Sequence, residues 1–275
     1  MNKISFTTLA CPEWDIAQIV SAAVENEYDA IDFRGYLDCV ELPDSPAFQG
    51  AALREMAARV SDAGLEVSCL SSSARLSAPS ADERARSLDG VRRYADLCHA
   101  FGAKQIRVFG GPAQGIADPV ANAAETLVAM ADAARDAGVT VAVETHDSWT
   151  DSTQLRAVFE KAGWPEGVGF LWDVHHPYRF HGEPPETSAA NMGGHLLNTH
   201  WKDSAAKADG GFELRLCGEG DVPLREIART LHAAGYGGYL TFEWEKRWHS
   251  EIPGPEVAVP HFARFIRQIA ADCMA

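Results

Sequence analysis

Four segments of the chain carry acidic or imidazole side chains directly after apolar runs. They read VETH at 143–146, WDVHH at 172–176, THWKD at 199–203 and FEWE at 242–245. Their chemistry-bearing residues are Glu144, Asp173, His200 and Glu243. Acidic groups that meet in a poorly solvated site repel one another unless protons or a cation compensate them. Three carboxylates and one imidazole therefore predict a site for one divalent metal ion.

The mixed oxygen and nitrogen donors suit Mn²⁺, Mg²⁺, Co²⁺ or Fe²⁺, with Zn²⁺ also possible, and position alone does not rank these metals. We take Mn²⁺ as the expectation. The intervals from Glu144 to Asp173 and from Asp173 to His200 each match one strand–helix unit. The interval from His200 to Glu243 is longer, by about half a unit. The loop at 204–221 is therefore extended and can reach over the site. It contains Arg215, a candidate cation for binding substrate.

Further polar residues lie beside the four candidate ligands. His146 and Lys202 are either substrate contacts or partners in structural ion pairs. His175 and His176 compete for one position, because side chains alternate along a strand. Asp173 and His175 share a face if the strand continues, whereas a strand that ends at residue 174 frees His176. The alternation leaves this choice open.

The elements that must position these residues are eight short β-branched or aromatic runs, each separated from the next by a longer stretch. The strand candidates are 3–10, 30–34, 66–71, 105–110, 140–146, 167–174, 196–202 and 239–245. Apolar stripes at helical spacing follow them, as at Ile16, Ile19, Val20 and Ala23, although the helix after the sixth strand is weak. Several of these helices end at a glycine, where a left-handed residue closes a helix.

Eight strand–helix units without a linker predict a single (β/α)8 barrel, a TIM barrel, that occupies residues 1–275 as one domain. The rival is an open, doubly wound α/β sheet. Such a sheet usually has a glycine-rich phosphate loop after its first strand, but this chain reads LACPEWD from Leu9. In the barrel, the carboxyl ends of the strands meet at one mouth, so the four acidic or imidazole segments converge there.

Composition excludes several other classes of protein. The 275 residues carry a net charge of −15, and the Lys and Arg residues are scattered, which argues against nucleic-acid binding. No stretch approaches the roughly 18 apolar residues of a membrane-spanning helix. The six cysteines form no CxxC pair, so a disulfide framework and a zinc-finger cluster are both disfavoured. We therefore expect a cytoplasmic protein with reduced thiols.

The four segments, together with GEGDVP at 218–223, resemble the sugar phosphate isomerase/epimerase superfamily of xylose isomerase-like TIM barrels. That superfamily includes ketose 3-epimerases, inosose isomerases and dehydratases, and endonuclease-IV-type nucleases. The resemblance covers essentially the whole barrel. It implies that Glu144 and Glu243 bind the metal and act as the acid/base pair, while Asp173 and His200 complete the coordination. It also favours His176 over His175 for substrate binding and makes Arg215 the best counterpart of a substrate-binding arginine.

The resemblance implies a metal-dependent isomerase or epimerase that works through an enediolate intermediate. The chain shows no clear phosphate site, so we expect the small-molecule substrate to be a non-phosphorylated ketose, keto-sugar, inosose or other polyol derivative. A lyase that uses the same metal site, such as an inosose-type dehydratase or a keto-glycoside deglycosidase, is the main alternative. An endonuclease-IV-type hydrolase and a metal-free binding barrel are less favoured. Related barrels are commonly homodimers or homotetramers.

Overall fold

The computed structural model describes residues 2–274 and contains a closed barrel of eight parallel strands. The barrel strands are β1 (Lys3–Thr7), β2 (Ala30–Phe33), β3 (Glu66–Arg75), β4 (Gln105–Phe109), β5 (Thr140–Glu144), β6 (Val168–Asp173), β7 (Leu196–Trp201) and β10 (Tyr239–Phe242). Strands adjacent in the chain are neighbours in the barrel, and β10 pairs with both β7 and β1. The predicted (β/α)8 architecture is confirmed.

Nine helices surround the barrel in the described range. They are α1 (Ile16–Glu25), α2 (Gly50–Asp62), α3 (Ala81–Phe101), α4 (Pro119–Asp136), α5 (Ser152–Ala162), α6 (His176–His181), α7 (Pro185–Met192), α8 (Leu224–Ala233) and α9 (Pro255–Met274). Ile19 and Ala23 of the predicted α1 stripe are buried. Gly102 and Gly163 close α3 and α5 in the left-handed conformation, as the glycine pattern predicts. None of the helices in this range combines the length and apolarity needed to span a membrane.

Two connections depart from the regular repeat. After β6 the chain forms the two short helices α6 and α7 in place of one long helix, since Gly182 ends α6 in the left-handed conformation and Pro184 cannot continue it. After β7 the extended loop predicted at 204–221 contains an antiparallel hairpin of β8 (Asp203–Ala206) and β9 (Phe212–Arg215). The Asp203 carboxylate accepts hydrogen bonds from the backbone N–H groups of Gly218, Gly220 and Val222, which fixes the end of this loop.

The strands place two sets of side chains on opposite faces. The outward set packs under the helices, as Phe242 does against Phe262 with ring centroids 4.7 Å apart. The inward set becomes polar toward the carboxyl ends of the strands. Registers pair Asp173 with His200 and His200 with Thr241, so the inward side chains of β6, β7 and β10 lie side by side. The barrel therefore directs its polar residues into one mouth.

Candidate metal and substrate site

His200 lies at the centre of a buried cluster in the barrel mouth. Its Nδ1 is 3.0 Å from Glu144 Oε1 and 3.1 Å from Glu243 Oε1. Ligand atoms of these three residues lie within 4.8 Å of one another, and all three residues are buried. Glu144 is the last residue of β5, and Glu243 directly follows β10, where its backbone N–H donates to Trp201 O of β7. Three of the four predicted ligands therefore converge.

The fourth predicted ligand, Asp173, is held beside this cluster by Lys202. The Lys202 ammonium is 2.6 Å from Asp173 Oδ2, 2.6 Å from Glu243 Oε2 and 2.8 Å from Glu245 Oε1. Asp173 Oδ1 accepts the backbone N–H groups of His175 and His176 at the start of α6. Of the two roles expected for Lys202, the structure shows the ion pair: its ammonium contacts two of the predicted ligands.

The other face of His200 is fixed by a carboxylate from β2. His200 Nε2 donates a hydrogen bond to Asp32 Oδ2 at 3.1 Å, and Asp32 Oδ1 accepts one from Ser71 Oγ at 2.8 Å. Asp32, Ser71 and His200 are fully buried. Since Nε2 is occupied, the imidazole presents Nδ1 to the two glutamates. This arrangement, in which a carboxylate orients a histidine through its second nitrogen, is common around protein metal ions.

Burial and neighbouring charges shift the pKa values of these groups in different directions. Burial raises the pKa of Asp173 to about 7, because the pull of Lys202 does not fully offset burial and the repulsion from Glu243 and Glu144. Burial also opposes ionisation of Glu144, but Arg107 and His200 outweigh it and lower the pKa of this carboxyl. The two glutamates raise the pKa of His200 well above its usual value, against the effect of burial.

The donor set fits one divalent cation. Among the described residues, four fully or almost fully buried carboxylates, Asp32, Glu144, Asp173 and Glu243, contact two permanent cations, Lys202 and Arg107. The raised pKa values of His200 and Asp173 show that protons compensate part of the remaining charge, and Glu144 Oε2 accepts no hydrogen bond within the same residues. A site that gathers uncompensated acids and an oriented imidazole is typical of a divalent metal centre.

A cavity of about 240 Å³ opens beside the cluster. Its lining includes Lys202, three imidazoles and two phenylalanine rings. These rings belong to His146, His175, His176, Phe180 and Phe212. His176 Nδ1 donates to Thr145 O at 2.8 Å, and burial followed by the charge of Lys202 lowers the pKa of His176 well below its usual value. The neutral ring therefore offers Nε2 as a hydrogen-bond acceptor. His175 instead uses Nε2 on Ser204 Oγ at 2.8 Å.

His146 forms part of the same wall. Its Nδ1 is 3.0 Å from Asp147 Oδ1, and its ring packs on Phe109 with centroids 4.5 Å apart. Burial would lower the pKa of His146, but Asp147 and Glu144 raise it overall. His146 therefore forms an ion pair, one of the two roles that its sequence position left open. It also lines the cavity, and its contact with substrate stays a prediction.

Arg215 is the one predicted site residue that the described structure does not bring to the mouth. It alternates with Phe212 and Leu214 along β9, and Phe212 packs on His175 with ring centroids 5.0 Å apart. Arg215 lies on the opposite face of the hairpin, where it pairs with Glu213 and is half exposed. The expected contact between Arg215 and substrate is therefore not supported by its position, because a two-residue alternation turns this side chain away from the cavity.

The family model described as the xylose isomerase-like TIM barrel matches residues 20–269. The chain belongs to this family. Solved xylose isomerase-like structures of low sequence identity share its fold. L-ribulose 3-epimerase is 19% identical with a TM-score of 0.80, and the match covers 100% of this chain and 96% of that one. No curated protein sequence matches the chain significantly.

Two further solved structures with the same fold are a zinc-bound protein and a probable dehydratase. The IOLI protein with a bound zinc atom is 13% identical with a TM-score of 0.81, and the match covers 98% of each chain. The probable 3-DHS dehydratase AsbF from Bacillus anthracis is 17% identical with a TM-score of 0.78, and the match covers 96% of this chain and 98% of that one. At these identities the similarity establishes the xylose isomerase-like fold.

Three buried residues of this xylose isomerase-like barrel were missed by sequence reasoning, which considered strand ends five to eight. They are Asp32 and Arg34 on the second strand candidate and Arg107 on the fourth. Arg107 Nε is 3.4 Å from Glu144 Oε2, and its guanidinium stacks on Phe109 with the carbon 3.9 Å from the ring centroid. Each is a charged residue inside a short apolar run, and that signal could have revealed them.

Proposed function

We propose that this barrel is a divalent-metal-dependent sugar isomerase or epimerase that acts on a non-phosphorylated ketose, keto-sugar or inosose. The observation that carries the proposal is the pair of buried glutamates on either side of His200 Nδ1. Each has its own counter-ion, Arg107 for Glu144 and Lys202 for Glu243. Two carboxylates that reach one point from different strands can remove and return a proton on opposite sides of a substrate carbon.

Glu144, Asp173, His200 and Glu243 would hold the metal. When bound, a divalent metal polarises a carbonyl oxygen and increases the acidity of the adjacent C–H. Asp173 would contribute a carboxylate that pairs with Lys202 in the metal-free arrangement. Mn²⁺ remains our expectation, and the zinc of the IOLI structure keeps Zn²⁺ as the first alternative.

The residues around the cluster supply the remaining steps. Arg107 and His200 keep Glu144 ionised, as a base for C–H abstraction must be. Proton return to the opposite face by Glu243 inverts the carbon, whereas return to the adjacent carbon exchanges aldose and ketose. His176 Nε2 accepts a hydrogen bond from a substrate hydroxyl, and the rings of Phe180 and Phe212 form an apolar wall of the cavity.

Metal analysis and solvent exchange test this function. The protein is purified gently, its metal content is measured, and the Mn²⁺-loaded form is incubated in D₂O with ketoses, keto-inositols and 3-keto-glycosides. We expect deuterium at a carbon beside the carbonyl of one substrate class. Product analysis then separates an isomerase from a lyase, because elimination releases water or an alcohol. Metal binding without exchange in any compound would contradict the isomerase proposal.

Two variants connect the exchange to the proposed pair. Glu144→Gln and Glu243→Gln should each abolish net turnover, because the base or proton donor is lost while the side-chain shape is kept. Glu125→Gln is the matched control, since Glu125 is exposed and pairs only with Arg84 on the surface. Native-like turnover by either site variant would contradict the paired-glutamate mechanism. Light scattering of the same samples tests the expected homodimer or homotetramer.

A further inference from the structure

Two arginines are buried on the side of the mouth formed by β2 to β4. Arg34 is 6% exposed and Arg107 is 1% exposed. Arg34 Nη2 donates to Ser73 Oγ at 3.0 Å, while its Nη1 has a long contact of 3.4 Å to Val40 O. Arg107 Nε and Nη1 have no hydrogen-bond acceptor. This part of the mouth therefore holds two guanidinium groups whose donors are only partly used.

An aromatic ring holds both guanidinium groups in place, although some of their N–H donors have no acceptor. Phe109 packs against Arg107 at 3.9 Å from ring centroid to guanidinium carbon, and Arg34 lies 5.7 Å from the same ring. Arg107 forms an ion pair with Glu144, with Nε 3.4 Å from Oε2, but this contact does not have the geometry of a hydrogen bond. Burying charged N–H donors that have no acceptor is costly, so a fixed guanidinium with unused donors points to a ligand.

The surroundings of Arg34 indicate the charge of that ligand. Its nearest acid, Glu41, lies 3.7 Å away and is 36% exposed. Arg34 and Arg107 lie over the same Phe109 ring, and among the described residues Glu144 is the one fully buried acid that forms an ion pair with either of them. An anionic group of a ligand would therefore be stabilised between the two guanidinium groups.

We propose that Arg107 and Arg34 bind a carboxylate of the substrate, so that the substrate is a keto-sugar acid. A guanidinium presents parallel N–H donors that match the two oxygens of a carboxylate. Because Arg107 also lies beside Glu144, the bound carboxylate is on the Glu144 side of the reacting carbon. Ser73 and Glu41, the neighbours of Arg34, also line a groove of about 860 Å³. This inference rests on the proposed metal-dependent sugar chemistry.

A matched pair of probes tests the carboxylate subsite. L-sorbose and 5-keto-D-gluconate share the ketone and its hydroxymethyl neighbour, and they differ at the far end by a hydroxymethyl group against a carboxylate. Calorimetric titration of the Mn²⁺-loaded protein should show at least about tenfold tighter binding of the acid, the size expected for charge-assisted hydrogen bonds. Equal or weaker binding of 5-keto-D-gluconate, or its failure to bind, would overturn the proposal.

Variants assign the preference to the two arginines. Arg107→Gln and Arg34→Gln should each reduce the preference for the acid, measured as the ratio of the two affinities, to below about threefold. Arg93→Gln is the control, because this arginine lines the same groove but is exposed and paired with Asp44. If Arg107→Gln does not fold, Arg107→Lys keeps the charge, loses the paired donors and should retain only part of the preference. An unchanged preference in the Arg107 and Arg34 variants would overturn the assignment.

The source of the anion and the proposed chemistry are tested separately. D-Fructose 6-phosphate against D-fructose provides the phosphate comparison, and a larger Arg107-dependent gain for the phosphate would overturn the carboxylate assignment. Binding needs no turnover. A strong preference for the acid together with no deuterium exchange would therefore contradict the isomerase proposal while supporting the subsite. Deuterium exchange without a preference for the acid would support the isomerase proposal and contradict the carboxylate subsite.

Discussion

Substitution of Asp32 tests whether a residue from β2 controls the proposed metal site. In Asp32→Asn the amide oxygen is a weaker acceptor than the carboxylate for His200 Nε2. The amide can also turn its NH₂ group toward His200, which forces Nε2 to accept and places the imidazole proton on Nδ1. Either change weakens Nδ1 as a ligand, although no predicted metal ligand has been altered.

The magnitude follows from the geometry of the lost hydrogen bond. The contact between Asp32 Oδ2 and His200 Nε2 is 3.1 Å long, and both side chains are fully buried. A hydrogen bond to a charged group contributes about 1.5–3 kcal/mol. Since about 1.4 kcal/mol corresponds to a tenfold change in affinity, we expect Mn²⁺ to bind about 10- to 100-fold more weakly.

Calorimetric titration of the metal-stripped protein with Mn²⁺ measures this change, and ¹⁵N spectra of the histidines in the diamagnetic Zn²⁺ form report the tautomer. Asp44→Asn is the control, because Asp44 is an exposed aspartate that pairs with Arg93 far from His200. Circular dichroism establishes that each variant is folded. An Asp32→Asn protein that binds Mn²⁺ within twofold of the wild type would refute the reasoning.

Three further predictions concern the charges of the site. Burial raises the pKa of Asp173 to about 7 in the metal-free protein, so below pH 7 protons compete with the metal for this carboxylate. Calorimetry should therefore show the affinity for Mn²⁺ falling by up to about tenfold for each pH unit below 7. Arg215→Ala should leave KM within twofold, because Arg215 faces away from the cavity; a clear rise in KM measured by steady-state kinetics would return it to the site. Removal of the metal by a chelator should lower the melting temperature by several degrees, and added Mn²⁺ should restore it. The reason is that a ligand at about 100 times its Kd stabilises the folded protein by about 2.7 kcal/mol. A melting temperature that does not respond to metal in scanning calorimetry would contradict this prediction.

The barrel could be predicted from the sequence because its strands and helices have simple periods. Buried parallel strands appear as short apolar runs, and every candidate run contains or overlaps one observed strand. Strand ends were less accurate. β1 stops at Thr7 because residues 8–10 form a 3₁₀ turn, and β3 continues to Arg75 through a register shift. Such irregularities depend on pairing with a neighbouring strand, which a single run of sequence does not contain.

The candidate site was predictable only where functional residues follow apolar runs. Glu144, His200 and Glu243 meet as expected because three strand ends must share one mouth. The roles of Asp32 and Arg107 were not predictable from spacing, since each is one charge within a buried strand and its partner lies far along the chain. The separation of Asp173 from the other ligands by Lys202 is likewise a property of packing, as is the outward direction of Arg215.

The counter-ions of the two glutamates are held in different ways, and we use this difference to assign their roles. Arg107 is stacked on Phe109 and cannot withdraw from Glu144, so Glu144 stays ionised in the resting protein. Lys202 divides its ammonium among Asp173, Glu243 and Glu245, so two acids would still hold it if its contact with Glu243 were lost, and the Glu243 carboxyl could then take up a proton. We therefore expect Glu144→Gln to abolish solvent deuterium exchange, whereas Glu243→Gln retains exchange without forming inverted product. If both variants bind metal equally and it is Glu243→Gln that abolishes exchange, then Glu243 is the residue that removes the proton and Glu144 the one that returns it.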